Sequence, residues 1–259
     1  MKELSGISGS HGFIGSHLLE RLPDSIKLGR DGVIPSGLDV IFDCAAFGNM
    51  AGHTGDRSEI YNANLFRVIK EFQTIESEKY IYISSSSVML PVQTDYSNSK
   101  KLAEEFLQFQ AENDYRIAIV RPGTVIGRGD SPEHLLPKLI DSCINGTKIP
   151  FIEEPTHDYI DIEDFVDALL TIKDRAQFHG EIYEVGNGRA VTNLEVKGIV
   201  EEVTGKRANT YKVESFRSYD VPNWKLNTER IFSLGWSAKR SIEDTVRSMV
   251  DIKYARKNN

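Results

Sequence analysis

The chain has 259 residues, of which 40% are hydrophobic and 27% are charged, an ordinary composition for a soluble globular protein. No apolar run approaches the ~20 residues of a membrane span, and the start of the chain lacks the features of a signal peptide, so we expect no membrane association. The net charge of −7 disfavours nucleic acid as a partner, because such binding requires a basic face. Cys44 and Cys143 lie far apart and form no metal-binding pattern, so we expect no metal and a reducing, cytoplasmic location.

Three glycines, Gly9, Gly12 and Gly15, lie three residues apart where the helical run 13–22 begins. The first two precede the run, and the third lies in its first turn. Glycines let the backbone turn sharply and approach a ligand closely. The N-terminus of the helix that follows offers free N–H groups and a positive dipole end to a phosphate. The pattern therefore predicts a strand, a turn and a helix that hold the pyrophosphate of a dinucleotide. A glycine-rich surface turn is the alternative, because glycine spacing alone is a weak signal.

The second predicted strand, 26–28, ends at Gly29 and Arg30, where a dinucleotide fold faces the adenosine ribose. An acidic residue there would bind the 2′-hydroxyl, whereas a small residue followed by arginine accommodates a 2′-phosphate. The sequence therefore favours NADP as the cofactor. NAD is the alternative, because a shift of two residues would make Asp31 the ribose ligand. His11, inside the glycine loop, is either a contact to the phosphate or a solvent-facing residue.

Strands and helices alternate along the rest of the chain. The predicted strands are 39–46, 80–83, 116–120, one near Tyr159 and 182–185, and the predicted helices are 60–76, 100–111, 135–144, 162–172, 194–203 and 242–255, with a short element at 230–234. Only about eight residues, 31–38, link Arg30 to the strand 39–46, fewer than the ~10–12 of a full crossover, so this crossover is expected to be trimmed.

This alternation predicts an α/β fold with a doubly wound parallel sheet of the Rossmann type and a smaller C-terminal substrate-binding lobe. We expect residues 1–123 to form the dinucleotide-binding core, to which residues 158–186 return. Residues 124–157 and 187–259 are expected to form the lobe.

The strand 80–83 is followed by the residues that carry candidate chemistry. The serine run 84–87 lies at the C-terminal end of a parallel strand, where α/β folds bind ligands. Tyr96 is the only one of ten tyrosines with a lysine, Lys100, four residues later, and a helix places both side chains on one face. An ammonium group lowers the pKa of a phenol from its usual ~10, which suits Tyr96 for proton transfer. An exposed tyrosine beside a solvated lysine is the alternative.

In their order, these features resemble the extended short-chain dehydrogenase/reductase family, of the NAD-dependent epimerase/dehydratase type, over nearly the whole chain. The matching segments are 9–15 (TGxxGFIG in the family), Asn64 (the asparagine of an NxxGT-like helix), 84–89 (SSxxVYG), 121–127 (RPxNVYG), 157–164 (RDFIYVDD), 183–188 (YNIGNG) and 234–236 (LGW).

The resemblance implies roles for individual residues. Ser85, Tyr96 and Lys100 would be catalytic: Ser85 bonds the reacting oxygen, Tyr96 exchanges a proton with it, and Lys100 holds the nicotinamide ribose and lowers the pKa of Tyr96. Ser86 is the second candidate for the hydroxyl if the alignment shifts by one residue. The cofactor would contact Gly9, His11, Gly12, Phe13, Ile14, Arg30, Ala45, Ala46, Asn64, Tyr96, Lys100, Pro122 and Val125. The substrate would contact Ser86, Arg128 and His157.

Two departures from the family pattern narrow the function. Dehydratases of the family carry an Asp-Glu pair after the active hydroxyl, and Ser86 and Ser87 cannot perform that acid–base chemistry. His157 stands where the family often has an arginine that binds the diphosphate. We therefore expect an NADPH-dependent reductase of a nucleotide-linked 4-keto sugar. The alternatives are an NAD-dependent nucleotide-sugar 4-epimerase and a non-catalytic NADP-binding sensor.

The family resemblance also implies a homodimer formed through the two long helices, here 60–76 and 97–111. Leu102, Phe106 and Phe109 are apolar residues of the second helix. They serve either that interface or the core of the subunit.

Overall fold

A computed structural model describes residues 3–29, 36–48, 57–213, 220–221 and 223–257, with the backbone alone for 254–257. The strands of this part of the chain are β1 (Ser5–Ser8), β2 (Ile26–Leu28), β3 (Leu38–Asp43), β4 (Ser77–Ile83), β5 (Ile117–Pro122), β6 (Thr124–Ile126), β7 (Ile149–Phe151), β8 (Thr156–Asp161), β9 (His179–Val185), β10 (Ala190–Thr192) and β11 (Thr210–Lys212). The α-helices are α1 (Phe13–Arg21), α2 (Arg57–Tyr61), α3 (Arg67–Thr74), α4 (Asp95–Ala111), α5 (Leu135–Asn145), α6 (Ile162–Arg175), α7 (Asn193–Thr204), α8 (Glu229–Ser233) and α9 (Ile242–Lys257).

Two compact units divide the chain. One comprises Met1–Pro122, Val166–Glu184 and Glu229–Trp236, and the other comprises Gly123–Phe165, Val185–Thr228 and Ser237–Asn259. Within the described residues, no helix combines the length and the apolar character that spanning a membrane requires.

The first unit contains a six-stranded sheet with the strand order β2-β1-β3-β4-β5-β9. Its neighbouring strands β2, β1, β3, β4 and β5 run parallel. Strands β1 and β5 and the ends of β3 and β4 are buried almost throughout, which explains the apolar runs within β3, β4 and β5. The predicted doubly wound α/β fold is therefore confirmed.

The order of the strands determines where a ligand would bind. The chain moves outward from β1 to β2 and then returns to place β3 on the other side of β1. Ligands of such sheets bind beyond the carboxyl ends of the strands at this switch point. The glycine loop after β1 and the end of β3 lie at this point. Most of the link 31–38, expected to be a trimmed crossover, lies outside the described residues.

Strand β3 ends at Asp43, three residues before the predicted end at Ala46. The backbone N–H of Ala45 donates to the Asp43 carboxylate at 3.3 Å instead of to a neighbouring strand. This side-chain bond turns the chain out of the sheet, so the small residues that follow form a loop.

The predicted helix 60–76 consists of α2, a π-helical segment Asn62–Phe66 and α3. Such π segments within α-helices occur frequently at functional sites. Helix α4 begins at Asp95, five residues before the predicted start at Lys100. Thr94 and Ser97 form a reciprocal capping box, with N···O distances of 3.2 and 2.8 Å, which places Tyr96 in the first turn.

The second unit has its own core. Its three-stranded sheet has the order β10-β8-β6, and β7 pairs in parallel with β11. Helices α5, α7 and α9 supply buried apolar residues such as Leu139, Val200 and Val246 to one cluster. The sequence did not predict β6, β7, β10 and β11, each of which has three residues.

Candidate active site

The glycine loop is closed by contacts that leave no room for side chains. Gly9 has a φ of +68°, and its carbonyl oxygen accepts a hydrogen bond of 2.9 Å from the N–H of Gly12. A Cβ atom at Gly15 would lie 2.2 Å from that same oxygen, and one at Gly9 would lie 2.7 Å from the Cα of Ala45. Glycine is therefore required at both positions, and the loop packs directly against the end of β3.

Helix α1 begins at Phe13, directly after this loop. Its N-cap is Gly12, and no side chain of the described residues caps its N-terminal N–H groups. Its first turn, described in full, contains no acidic residue. The unpaired N–H groups and the helix dipole therefore favour a phosphate at this end. We call the glycine loop 9–15 and the uncapped start of α1 the cradle. Because its glycines leave no side chains in the way, the cradle fits the pyrophosphate of a dinucleotide.

The remaining cofactor contacts expected in this unit lie in several places. His11 and Gly12 are exposed, Ala45 is half-buried and Ala46 is exposed at the end of β3. Pro122 is buried at the end of β5. Gly29 is exposed, but Arg30 and Asp31 lie outside the described residues, so the choice between NADP and NAD stays a prediction.

Ser85 and Tyr96 meet beyond the end of β4. The Ser85 hydroxyl lies near enough to the Tyr96 phenol to favour its ionised form, and Ser85 Oγ lies 2.8 Å from Ser87 Oγ. Ser85 also accepts a hydrogen bond of 3.2 Å from the backbone N–H of Ser87, because it caps the short 3₁₀ segment Ser86–Met89. Ser86, the second candidate for the active hydroxyl, is buried, whereas Ser85 is the serine that influences the Tyr96 phenol. The assignment of the active hydroxyl to Ser85 stays a prediction.

Burial raises the pKa of Tyr96, and the Ser85 hydroxyl partly opposes this increase. The phenol is therefore protonated at neutral pH and is poised as a proton donor. The Ser85 hydroxyl, rather than the Lys100 ammonium, favours the phenolate in this structure. The Lys100 ammonium donates to the carbonyl oxygen of Ile83 instead, and its expected effect on the pKa of Tyr96 stays a prediction.

Lys100 is 1% exposed. Its Nζ donates to the carbonyl oxygen of Ile83 at 2.8 Å and lies 4.8 Å from the centroid of the Tyr82 ring. Burial lowers the pKa of Lys100 from 10.5 to about 8, and the Asp43 carboxylate partly opposes this decrease. Lys100 is thus a buried cation with few fixed partners, as expected of a group that receives a polar ligand.

Asn64 is fully buried in the π-helical segment. Its Nδ2 donates to the carbonyl oxygen of Phe47 at 2.9 Å and to Ser99 Oγ at 3.1 Å, and its Oδ1 accepts from the N–H of Phe47 at 2.8 Å. Ser99 Oγ in turn donates to the carbonyl oxygen of Tyr96 at 2.7 Å. The side chain of Asn64 therefore joins the loop after β3 to the helix that carries Tyr96.

The second unit contains the remaining predicted residues. Val125 is half-buried in β6, and Arg128 is exposed at the edge of a cleft of about 550 Å³. His157 lies in β8 with its ring centroid 5.1 Å from that of Trp224 and 5.8 Å from that of Tyr159. The structure thus places His157 among aromatic rings, a setting that the sequence did not predict.

A cluster of ionisable side chains lies near the glycine loop, and the sequence did not predict it. Asp43, Arg67, Glu71 and Tyr80 connect to Ser8, the residue before the first glycine. The available signal was the Arg67 and Glu71 pair at helical spacing beside Val68 and Phe72, two residues of the apolar face. An ion pair on the buried face of a helix requires partners from other elements, which one helix pattern cannot reveal.

Comparisons with known proteins agree with this geometry. A family model described as the NAD dependent epimerase/dehydratase family matches residues 30–186. The chain is 29% identical over 164 residues to the CDP-abequose synthase of Salmonella muenchen, over 61% of this chain and 56% of that protein. The chain spans little more than half of such curated relatives, between 51% and 56% of the length of three of them.

Solved structures share the fold. MoeE5 in complex with UDP-glucuronic acid and NAD has a TM-score of 0.85 at 22% identity, over 98% of this chain and 99% of that one. RMD from Pseudomonas aeruginosa, complexed with NADPH, has a TM-score of 0.85 at 18% identity, over 98% of this chain and 100% of that one. At these identities the likeness establishes the architecture alone.

The family model and the site overlap. The matched residues make up more than half of the chain and include the end of β3, the serine run and helix α4. The glycine cradle precedes them and fits the dinucleotide that the family's name implies. Because the match spans these elements in one continuous stretch, the chain belongs to the NAD dependent epimerase/dehydratase family.

Proposed function

We propose that the chain is an NADPH-dependent reductase of the keto group of a nucleotide-linked 4-keto sugar. The observation that supports this proposal is the position of Tyr96 in the first turn of α4, beside the Ser85 hydroxyl, with its phenol protonated at neutral pH. A protonated phenol can give a proton to a ketone oxygen at once. An epimerase would use the same phenol in both directions, first accepting a proton from a hydroxyl group and then returning one, so cofactor turnover has to distinguish the two reactions.

The residues of the chain divide the work between them. Tyr96 donates its proton to the substrate oxygen, and the Ser85 hydroxyl bonds the same oxygen as negative charge develops there. Asn64 acts as a positioning residue that fixes the helix start at Tyr96. The cofactor supplies the hydride when it is bound, and the glycine loop and Lys100 would hold it in place.

The preference for a reductase also rests on the residues after the active hydroxyl. Ser86 and Ser87 occupy the positions of the acid pair that a sugar dehydratase requires, and both are buried. Neither hydroxyl ionises at neutral pH, so dehydration has no acid–base pair. The named relative is a synthase of a nucleotide-linked sugar, which supports a substrate of this class for the present chain.

NADPH is the proposed reductant because Gly29 and Arg30 follow β2. A glycine carries no carboxylate to repel a 2′-phosphate, and arginine binds phosphate in a bidentate manner. Solved structures of the same fold contain NADPH in one case and NAD in another. NADH is therefore the comparison that tests this choice.

The test measures oxidation of NADPH and of NADH by the purified protein with a panel of nucleotide-linked 4-keto sugars. A reductase consumes NADPH in proportion to product, and the Tyr96→Phe variant loses this activity. A protein that copurifies with NAD and interconverts sugars without net cofactor turnover is a 4-epimerase instead. A preference for NADH would overturn the role of Arg30, and full activity of Tyr96→Phe would overturn both enzymatic assignments.

We also propose that two copies associate through α2, α3 and α4. Phe66 and Phe109 are 58% and 61% exposed, and Leu102 is 36% exposed. Phe106, by contrast, packs against the core cluster of the first unit. Large exposed apolar side chains on neighbouring helices favour an interface between subunits.

A further inference from the structure

A cluster of ionisable side chains lies beneath the glycine loop and takes no part in the mechanism above. We call it the Glu71 network; its members are Ser8, Asp43, Arg67, Glu71 and Tyr80. Asp43 is 0% exposed, and the side chains of Arg67 and Glu71 are 22% and 11% exposed. The network thus holds two carboxyl groups and one guanidinium almost out of contact with water. Such a set is stable only if its charges and hydrogen bonds are nearly balanced.

Arg67 bridges the two carboxyl groups. Its guanidinium lies 2.8 Å from Asp43 Oδ1 and 3.1 Å from Glu71 Oε2. Ser8 Oγ donates to the same oxygen of Glu71 at 2.6 Å. Glu71 Oε2 therefore accepts two hydrogen bonds, and its other oxygen, Oε1, faces the hydroxyl of Tyr80.

The Tyr80 hydroxyl has one proton but two carboxyl neighbours. It lies 2.8 Å from Asp43 Oδ2 and 3.3 Å from Glu71 Oε1. Because the shorter contact takes the tyrosine proton, the longer contact is a hydrogen bond only when Glu71 carries a proton on Oε1. With that proton, every contact has a donor and an acceptor, and the charges of Arg67 and Asp43 cancel. Without it, two acceptors face each other and one negative charge is left uncompensated.

The pKa of Glu71 agrees with this proton count. Burial and then the Asp43 carboxylate raise it from 4.5 to about 7, although Arg67 and the bond from Ser8 lower it. Glu71 therefore changes its charge near neutral pH.

The network supports both sides of the cradle. Ser8 directly precedes Gly9 in the glycine loop. On the other side, Arg67 donates to the carbonyl oxygen of Ala45 at 3.1 Å, and Ala45 packs against Gly9. A change in the charge of Glu71 therefore acts on the two segments between which the pyrophosphate of the proposed function would lie.

We propose that Glu71 is a proton-linked positioning residue for the dinucleotide: the protonated network holds Ser8 and Ala45 in the arrangement that receives the pyrophosphate, and loss of the proton weakens binding. The inference rests on the dinucleotide site of the proposed function. The negative charge of the pyrophosphate acts in the same direction, because it favours the uncharged form of a nearby carboxyl group. Binding is therefore accompanied by uptake of a proton above neutral pH.

Other ionisable groups face this region, and their effects on the pH dependence of binding have to be distinguished from that of Glu71. From β3, Asp43 is ion-paired; from β4, burial raises the pKa of Tyr80. Cys44 is neutral because burial raises the pKa of its thiol. Lys100 on α4 loses its charge near pH 8, and His11 is an imidazole within the loop itself.

The test is a titration of the protein with NADPH, followed by cofactor fluorescence between about pH 6 and pH 9. Glu71→Gln is the matched variant, because its amide oxygen can accept from Ser8 and Arg67 while its NH₂ group donates to Tyr80. We expect the Kd of the wild type to rise about tenfold more than that of Glu71→Gln over this range, with a midpoint near pH 7. Because both proteins receive the same cofactor, titration of the 2′-phosphate cancels in the comparison.

His11→Gln and a calorimetric measurement complete the test. The His11→Gln variant keeps the pH dependence if Glu71 is its source, whereas loss of the dependence in that variant alone overturns the proposal. If Glu71→Gln folds poorly, titration of the wild type near pH 7.5 in two buffers of different ionisation enthalpy decides, and absence of proton uptake overturns the proposal. NADPH binding that is independent of pH contradicts the role of Glu71 alone, whereas no dinucleotide binding at any pH contradicts the proposed function as well.

Discussion

The chemistry proposed for Tyr96 depends on a single neighbouring hydroxyl, that of Ser85. The Ser85 side chain is the only group that opposes the effect of burial on Tyr96 in the described part of the chain. In the proposed reaction it bonds the ketone oxygen on which negative charge develops. Removal of a donor from such a position typically lowers kcat by about 10²–10³-fold.

We therefore expect Ser85→Ala to lower kcat for keto-sugar reduction by about 100-fold with little change in the KM for NADPH. Ser86→Ala is the matched control, since it removes the neighbouring hydroxyl from the same 3₁₀ segment. Steady-state kinetics of both variants, with circular dichroism to verify folding, make the measurement. A larger loss in Ser86→Ala than in Ser85→Ala would show that the active hydroxyl is one residue further along.

The buried ammonium of Lys100 lowers the stability of the fold, although the proposed function requires it. Its ammonium is buried, and its pKa in the folded protein, about 8, is below the value of 10.5 outside it. The folded state therefore binds this proton less tightly than the unfolded state, and the charge destabilises the protein below about pH 8. As the pH rises from 8 to 10.5, that cost is relieved, so stability increases.

Replacement by Lys100→Met should raise the free energy of unfolding at pH 7 by about 1–3 kcal/mol and abolish reduction. The gain is smaller than the full pKa shift implies, because the Ile83 carbonyl loses its donor. Chemical denaturation at several pH values measures the effect, and the difference from the wild type should shrink above pH 8. A variant that is less stable than the wild type at pH 7 would contradict this account.

At the scale of elements, the π-helical segment determines how two parts of the site are joined. An extra residue in the helix turns the Asn64 side chain inward, where its amide makes three hydrogen bonds. These bonds connect the Phe47 loop, through Ser99, to the first turn of α4. The geometry of Tyr96 thus depends on an element that contains no catalytic group.

Asn64→Ala should therefore cost about 1–3 kcal/mol of stability, since it leaves buried partners of the amide unpaired. It should also lower kcat by at least about tenfold by displacing Tyr96. Asn62→Ala is the control, because Asn62 is exposed in the same π segment. Thermal unfolding and steady-state kinetics of the two variants make the measurement. Equal stability and equal kcat in the two variants would refute the positioning role.

Sequence patterns predicted those elements that carry their own signal. Long helices and apolar parallel strands were found because their periodicity or composition is local. Four of the five strands of three residues, β6, β7, β10 and β11, were not, since so short a segment carries too little pattern of its own. Strand β3 was extended too far because Cys44, Ala45 and Ala46 read as apolar, although the Asp43 carboxylate ends the strand. The early start of α4 was readable from the Thr94 and Ser97 capping box.

The site divides in the same way. Ser85, Tyr96 and Lys100 follow a motif with fixed spacing, so the sequence was sufficient to propose them. The Glu71 network draws its members from β1, β3, α3 and β4, and no spacing along the chain brings them together. The direction of the Lys100 ammonium, toward the carbonyl oxygen of Ile83, likewise depends on burial that the sequence does not encode locally.

At the scale of the whole molecule, the first unit leaves apolar surface uncovered on neighbouring helices. Helix α4 packs against α2 and the π segment, so Phe109 and Leu102 on α4 and Phe66 on the π segment belong to adjacent elements. Phe109 is 61% exposed, whereas Phe106 of the same helix packs against the core. A soluble monomer gains nothing from this exposure, whereas a second copy would bury it.

We therefore expect the protein to be a dimer at micromolar concentration and Phe109→Glu to weaken association by at least about 30-fold, the effect of losing about 2 kcal/mol at an interface. Phe232→Glu is the matched control, because Phe232 is 44% exposed on α8, outside the proposed interface. Sedimentation equilibrium of both variants measures the association constant, and circular dichroism verifies that each is folded. If Phe109→Glu remained dimeric while Phe232→Glu dissociated, the interface would lie around α8 instead. A monomeric wild type would leave the exposed phenylalanines without the proposed role.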